Sequence, residues 1–185
     1  MGGGMYSSDA RTVRCKATYG DADYYKHTAP SEIFKERKVN NAMSPNGVKI
    51  RESRDSKEHP NSLAIIIALD VTGSMGSIPV HLIKEGLPTM METIIKGGIK
   101  DPQVLFLAIG DHTCDQAPLQ VGQFESSDAL LDHWLTTVWL EGKGGGNDGE
   151  SYALAWYFAG KHTSIDCWEK RKQKGFLLSV IAKTI

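Results

Sequence analysis

The chain has 185 residues, of which 41% are hydrophobic and 23% charged, and its formal net charge at pH 7 is -1. This length fits one domain of ordinary size with an appended segment, and the apolar fraction can supply a core. A net charge so close to zero creates no field that favours nucleic acid or an anionic membrane. We therefore expect neither nucleic acid nor a membrane among the partners.

The cysteines and the N-terminal sequence indicate the compartment. Cys15, Cys114 and Cys167 are far apart and form no C-x-x-C pair, which argues against a disulfide framework and a structural zinc site. The opening Met-Gly-Gly-Gly-Met has no apolar signal core, and no run approaches the ~18–20 apolar residues of a membrane span. We expect a cytoplasmic protein.

Residues 1–61 are interpreted as a polar N-terminal arm, partly irregular, ahead of a domain over 62–185. No helical or strand period is sustained in the arm. Ser-Pro-Asn-Gly at 44–47 is a turn signal, and its flanks at 39–43 and 48–50 are predicted to pair as a short hairpin. For the mixed-charge run at 51–58, composition favours a solvated linker; an arm that docks on the domain or a partner is the alternative.

The strongest signal is an apolar run at 63–69, Leu-Ala-Ile-Ile-Ile-Ala-Leu, which ends in Asp70. Such a run, rich in Ile and closed by a turn, predicts a strand buried on both faces. Thr72 and Ser74 follow at two-residue spacing, so one short loop offers a carboxylate and two hydroxyls. Mg²⁺ prefers oxygen ligands and takes only one or two carboxylates. The loop therefore has the chemistry of half a magnesium site.

Helical and strand-like patterns alternate after this loop. Apolar residues between 78 and 95 follow a 3.6-residue period, which predicts a helix that begins near Ser77 and bends at Gly86 and Pro88. Further strands are predicted at 104–109, 119–124 and 175–181, and further helices from 128 and over 152–160. This alternation predicts a parallel-rich sheet with helices on both faces.

Two later loops also carry oxygen ligands. Asp111 follows the strand at 104–109, whereas the nearby Asp115 is interpreted as a surface residue. The Gly-rich loop at 141–151 holds Asn147 and Asp148; it lacks the Lys-Ser/Thr of a Walker loop and the G-x-G-x-x-G order, so cation contact fits better than phosphate. In open α/β sheets, ligands bind beyond the carboxyl ends of the strands, where these loops are expected to converge.

The sequence Asp-Val-Thr-Gly-Ser at 70–74 after a hydrophobic strand resembles the DxSxS/DxTxS motif of von Willebrand factor A domains. Gly-Gly-Gly-Asn-Asp-Gly at 144–149 is similar to their second loop, and the runs RESRDS and GNDGESYALA look most like stand-alone bacterial or phage A-domain proteins. The resemblance spans roughly 62–181. It implies an α/β, Rossmann-like fold: a doubly wound, mostly parallel sheet with helices on both faces.

The resemblance also implies a metal-ion-dependent adhesion site that holds Mg²⁺ (or Mn²⁺). The hydroxyls of Thr72 and Ser74 would bind the metal, with Asp70 in the inner or second shell. The remaining candidate ligands are Asp111, Asn147 and Asp148. A carboxylate from a partner protein would complete the coordination, so the implied function is protein binding and not turnover.

Two alternatives stay open. One is a degenerate structural or assembly module that no longer binds metal, because the family's third loop is absent. The second loop departs from the family as well, since Asn147 or Asp148 stands where a Thr is expected. The other is a metal-assisted hydrolase, for which His112 beside Asp111 is the candidate pair. The chain has no G-x-S-x-G nucleophile elbow, and no general base or shielded pocket is visible in the sequence.

The C-terminal part departs further from the family. The family has another Asp just after the next strand, but the predicted strand at 175–181 runs into Ala-Lys-Thr-Ile. The strand and helices that normally follow are missing, so we expect a C-terminally incomplete domain. An uncovered sheet edge and apolar face predict self-association through that edge, partner binding or poor solubility.

Overall fold

The computed structural model describes residues 4–142 and 151–181. The described strands are β1 (Arg51–Ser53), β2 (Ser62–Asp70), β3 (Asp101–Ile109), β4 (Leu119–Val121), β5 (Thr163–Ile165) and β6 (Phe176–Val180). The helices are α1 (Ser8–Tyr19), α2 (Tyr24–His27), α3 (Pro30–Ile33), α4 (Ile78–His81), α5 (Leu87–Lys96), α6 (Asp128–Thr136), α7 (Ala153–Lys161) and α8 (Asp166–Glu169). A π turn at Leu82–Gly86 joins α4 to α5.

The main sheet has the order β4-β3-β2-β6. β2 is parallel to both β3 and β6, and β4 runs antiparallel to β3. All nine residues of β2 and of β3 are buried, which is why both strands have continuous apolar runs. The buried strands predicted at 63–69 and 104–109 are confirmed, and β3 begins earlier than predicted because Asp101 pairs with Ser62.

The strand order reverses beside β2. The chain moves outward from β2 to β3 and β4 on one side, and places β6 on the other. In open α/β sheets, this switch point is where ligands bind, outside the carboxyl ends of the strands. Asp70 is the last residue of β2 and therefore lies at the switch point.

Helices cover both faces of the sheet. On one face, Ile65 and Ile67 of β2 belong to a core that includes residues of α1, α5 and α6. On the other face, Ala64 and Ile66 pack with residues of α7 and α8. The prediction of a mixed α/β fold with a mostly parallel sheet is therefore confirmed. None of the helices in residues 4–142 and 151–181 is long and apolar enough to cross a membrane.

The π turn between α4 and α5 lies where a bend was predicted. The Leu87 N–H donates to the carbonyl of Leu82, five residues back, which is the π pattern. Pro88, the next residue, has no N–H to offer the Ile83 carbonyl. Arg11 of α1 supplies a donor instead, with Nη2 2.8 Å from that oxygen. Arg11 of the arm therefore stabilises the π turn by replacing the hydrogen bond that Pro88 cannot donate.

The arm contains a helix that the sequence patterns did not predict. α1 has 12 residues, and the Ser7 side chain caps it by accepting a hydrogen bond from the Ala10 N–H. Its buried residues are Arg11 and Cys15, one turn apart. Because half of this buried pair is a charged residue, the helix shows no apolar stripe in the sequence.

The predicted hairpin around the turn at 44–47 is wrong. Asn40 instead begins a 3₁₀ turn, Asn41–Met43, by accepting a hydrogen bond from the Ala42 N–H. The Met43 side chain is fully buried in the core. The nearest strand is β1, which pairs in parallel with the distant β5. The turn at 44–47 therefore does not connect two paired strands.

The mixed-charge run docks on the domain. Arg54 Nη1 donates to Asp166 Oδ1 at 2.9 Å, and Arg171 Nη1 donates to Asp55 Oδ2 at 2.7 Å. Burial tends to raise the pKa of Asp55, but hydrogen bonds from Arg171, Ser62 and a neighbouring lysine outweigh it and hold that pKa well below its ordinary value. The structure therefore has the docked arrangement and not the solvated linker that composition favoured.

Candidate metal centre

Asp70 ends β2 with a buried carboxylate, and only 1% of the residue is exposed. Its Oδ1 accepts hydrogen bonds from the Thr72 N–H at 2.8 Å and from Thr72 Oγ1 at 2.7 Å. Its Oδ2 accepts one from the Tyr152 hydroxyl at 3.0 Å. Donors from the loop after β2 and from the start of α7 therefore fix this carboxylate.

The loop after Asp70 folds into a short 3₁₀ turn, Gly73–Met75. The Met75 N–H donates to the Thr72 carbonyl at 3.1 Å, and the Met75 side chain is buried. Gly76 follows with φ +48°, a left-handed conformation that glycine adopts at little cost. A cavity of about 220 Å³ adjoins the loop, several times the ~30 Å³ share of one water molecule. Its lining includes Val71, Thr72, Met75, Pro79, Leu140 and Gly142.

Asp111, two residues after β3, repeats the arrangement at Asp70. Its Oδ1 accepts hydrogen bonds from the Thr113 N–H at 2.8 Å and from Thr113 Oγ1 at 2.7 Å, the same distances as in the first loop. Its Oδ2 accepts a hydrogen bond from the Cys114 thiol at 3.1 Å. Asp70 pairs in register with Ile109, so the two Asp-x-Thr turns lie at the ends of neighbouring strands.

Asp115, which the sequence predicts to be a surface residue, is only partly exposed and contributes to the framework of the second loop. Its Oδ2 accepts a hydrogen bond from the Asp111 N–H at 2.7 Å. A Cβ at Gly110 would lie 2.7 Å from the same oxygen, so this position fits only glycine without a shift. Asp115 Oδ1 is buried and has no hydrogen-bond partner among the described residues.

The segment that leads into α7 connects the two loops. The Ser151 N–H donates to the Gly110 carbonyl at 3.3 Å, and Ser151 Oγ accepts a hydrogen bond from the His112 N–H at 3.0 Å. The next residue, Tyr152, donates to Asp70. Two consecutive residues therefore tie the loop after β3 to the carboxylate that ends β2.

His112 and Ser151 form a polar pair at the edge of this site. His112 Nδ1 lies 2.8 Å from Ser151 Oγ and 3.8 Å from Asp111 Oδ1. In a Ser-His-Asp triad, the carboxylate binds the ring nitrogen opposite to the one that faces the serine. Here one nitrogen faces both groups, so the pair does not have the geometry of a triad.

Three of the residues predicted to bind metal lie at the carboxyl edge of the sheet, at the ends of neighbouring strands: Asp70, Thr72 and Asp111. The Ser74 side chain and the whole of Asn147 and Asp148 lie outside the described part of the chain. Among the residues that are described, no three His, Cys, Asp or Glu side chains form a group that could hold a metal ion. Such a group contains no hydroxyl ligand, whereas the site predicted from the sequence combines carboxylates with hydroxyls.

Three residues of the site were missed from the sequence. Thr113 had a usable signal, because its spacing from Asp111 repeats that of Thr72 from Asp70. Ser151 and Tyr152 had none, because their contacts depend on how α7 packs against the sheet. Ser151 ends the Gly-rich loop at 141–151, and the sequence pattern indicates Tyr152 only as the first residue of the helix predicted over 152–160.

Comparison with known proteins adds no relative to this picture. No protein-family model, no curated protein and no solved structure matches the chain.

Proposed function

We propose that this chain is a metal-dependent protein-binding module with a doubly wound fold like that of von Willebrand factor A domains. In this proposal, Mg²⁺ (or Mn²⁺) is held by the hydroxyls of Thr72 and Ser74 in the loop after β2, next to the Asp70 carboxylate that ends the strand. Neighbouring loops offer three further candidates: Asp111, Asn147 and Asp148. An acidic side chain of a partner protein supplies another oxygen ligand, and the function is binding.

The buried Asp70 carboxylate at the switch point is the observation that carries this proposal. Burying an ionised carboxylate is costly unless hydrogen bonds or a cation compensate. Three donors from Thr72 and Tyr152 already engage it, out of about four lone-pair sites. We therefore assign Asp70 to the outer shell of the metal, where it orients a hydroxyl ligand.

The direction of the hydrogen bond between Thr72 and Asp70 supports this assignment. It donates its proton to Asp70 Oδ1 at 2.7 Å. A hydroxyl that donates to a carboxylate presents lone pairs on its other side, and those are what a cation binds. With Asp70 behind this hydroxyl, the metal is bonded mainly to neutral oxygens and keeps most of its charge. Such a metal attracts a carboxylate from a partner.

Titration of the whole chain with Mn²⁺, with Mg²⁺ as competitor, tests the site. We expect one bound Mn²⁺ per chain, displaced by Mg²⁺, and an affinity reduced roughly 10–100-fold in Asp70→Asn, as for other outer-shell changes. Asp9→Asn is the matched control, because Asp9 is an exposed aspartate on α1. Wild-type protein that binds no Mn²⁺, or equal affinity in the two variants, would refute the proposal.

A structural module without metal is the second candidate, and one observation favours it. Asp70 Oδ1 accepts both the N–H and the hydroxyl of Thr72. That pattern by itself builds and caps a turn after an aspartate. If this is the whole role of Asp70, Asp70→Asn lowers stability while neither protein binds Mn²⁺. The same titration, combined with urea unfolding, therefore separates the two candidates.

A further inference from the structure

β6 is an edge of the main sheet in the part of the chain that the structure describes. It pairs with β2 along one side, from Phe176 opposite Ile65 to Val180 opposite Leu69. No other described strand pairs with its second side. The N–H and C=O groups along that side form a template for a further strand.

Apolar side chains flank this edge on both faces of the sheet. On one face, Phe176 and Leu178 are 51% and 44% exposed. On the other face, a cavity of about 160 Å³ lies between β6 and α7, with Leu177 and Ala159 in its lining. Because side chains alternate along a strand, a strand added to β6 would place every second side chain beside the exposed Phe176 and Leu178.

Positive charge gathers where β6 begins. A basic run precedes the strand, and within it Lys170 and Arg171 both pair with Asp55. Lys174 is exposed and pairs with no carboxylate among the described residues, whereas Lys172 Nζ lies 3.4 Å from the Glu169 carbonyl and 5.5 Å from the centroid of the Trp168 ring. The edge therefore combines apolar flanks with a basic end.

We propose that β6 binds an extended segment of a partner protein by strand addition. The segment is apolar at alternate positions and acidic at the end that lies beside Lys174. Main-chain hydrogen bonds provide affinity, while the apolar flanks and the basic end provide specificity. This surface uses no residue of the proposed metal centre and is a second, independent function.

Charge complementarity favours such a segment over a second copy of β6. In a two-fold antiparallel pairing of β6 with itself, the Lys174 end of one strand lies beside the Ile181 end of the other. Residues 179–181 contain no carboxylate, so the basic ends would face no acidic group. An acidic segment supplies the missing counter-charge.

Synthetic peptides and the whole chain provide the test. Two peptides carry a Val-Thr-Val-Thr-Val core with Glu-Glu either before or after it, so that both strand directions are sampled. We expect one of them to bind and to slow amide hydrogen exchange at alternate residues of β6. N-methylation of alternate peptide residues removes the main-chain donors and is expected to abolish binding. Replacing Glu-Glu by Lys-Lys is expected to weaken it.

Variants of the chain complete the test. Lys174→Glu is expected to weaken peptide binding roughly tenfold, and Lys16→Glu, the same charge change on α1, by less than about twofold. Binding should persist in EDTA and in Asp70→Asn, so failure here is distinct from failure of the metal site. The proposal is overturned if neither peptide binds, if exchange slows elsewhere, or if Lys174→Glu binds normally. A dimer whose β6 amides are protected without peptide also overturns it, because a second copy then occupies the edge.

Discussion

Arg11→Ala tests whether a buried ion pair holds α1 on the domain. Arg11 is only 9% exposed, and its Nε lies 3.0 and 2.8 Å from the two oxygens of Asp132, which is 1% exposed. Nη2 donates to the Ile83 carbonyl in the π turn. The guanidinium carbon lies 4.7 Å from the centroid of the Tyr25 ring. One side chain therefore joins the arm to α6 and to the interrupted helix.

The expected cost of this change is about 3 kcal/mol. Removing one partner of a buried ion pair typically costs about 3–5 kcal/mol, because the other charge is left buried. Two features place Arg11 at the lower end of this range. Arg14 Nη2 also donates to Asp132, and a cavity of about 390 Å³ adjoins Arg11, so water can reach the site. A loss of this size moves the midpoint of urea unfolding by roughly 1–3 M.

Equilibrium urea unfolding, followed by circular dichroism and tryptophan fluorescence, measures the change. Arg14→Ala is the matched control, because its side chain is 25% exposed, and it is expected to cost about 1 kcal/mol. Arg11→Met combined with Asp132→Leu removes both charges at similar volume and should cost less than Arg11→Ala alone. A cost below about 1 kcal/mol for Arg11→Ala, or a larger cost for the paired change, would refute the reasoning.

Three further predictions concern single contacts. Because the native pKa of Asp55 lies below its ordinary 3.8, the carboxylate stabilises the fold above about pH 4 and this contribution is lost as pH falls through the native pKa. The stability gap between wild type and Asp55→Asn should therefore narrow between about pH 7 and pH 3, and a constant gap contradicts this. Gly110→Ala places a methyl 2.7 Å from the Asp115 carboxylate and should lower the free energy of urea unfolding by about 1–3 kcal/mol. Gly160→Ala, in open space on α7, is the control and should raise this free energy by up to about 1 kcal/mol. Tyr152→Phe leaves the buried Asp70 carboxylate with one donor fewer and should lower the free energy of unfolding by about 1–3 kcal/mol. Tyr157→Phe is the control, because Tyr157 is 60% exposed, and it should change this free energy very little. Equal effects of the two changes would show that the Tyr152 hydroxyl is not needed.

The central sheet could be predicted because its strands are buried on both faces. A parallel strand covered by helices on each side has apolar residues on both faces, so residues 63–69 of β2 and 104–109 of β3 form continuous apolar runs. α6 could also be predicted, because a capping residue marks its start. The helix begins at Asp128, and the side chain of its cap, Ser127, accepts a hydrogen bond from the Leu130 N–H. These elements carry their structural cause within a few neighbouring residues.

The arm could not be predicted because its burial depends on charge pairing. α1 buries Arg11, which is stable in the core only because Asp132 lies 121 residues further along the chain. A hydrophobic pattern does not show such a pair. The same limit applies to β1, whose pairing with β5 joins segments that are distant in the sequence.

The hydrogen bonds of the two Asp-x-Thr turns show how much a local motif can indicate about the site. Asp70 and Asp111 make the same pair of contacts at the same distances, so this pattern alone is a means of building a turn. They differ in the third donor. For Asp111 it is Cys114 in the same loop, whereas for Asp70 it is Tyr152 at the start of α7.

Position in the sheet, and not the motif, is therefore the stronger support for the metal site proposed at Asp70. Its carboxylate ends the first strand of the main sheet, beside the reversal of strand order, and is held by a donor from another element. If Mn²⁺ binding is lost in Asp70→Asn and kept in Asp111→Asn, the switch point determines the site and the second turn supports it. Equal loss in both variants would instead make the two turns equal parts of one centre.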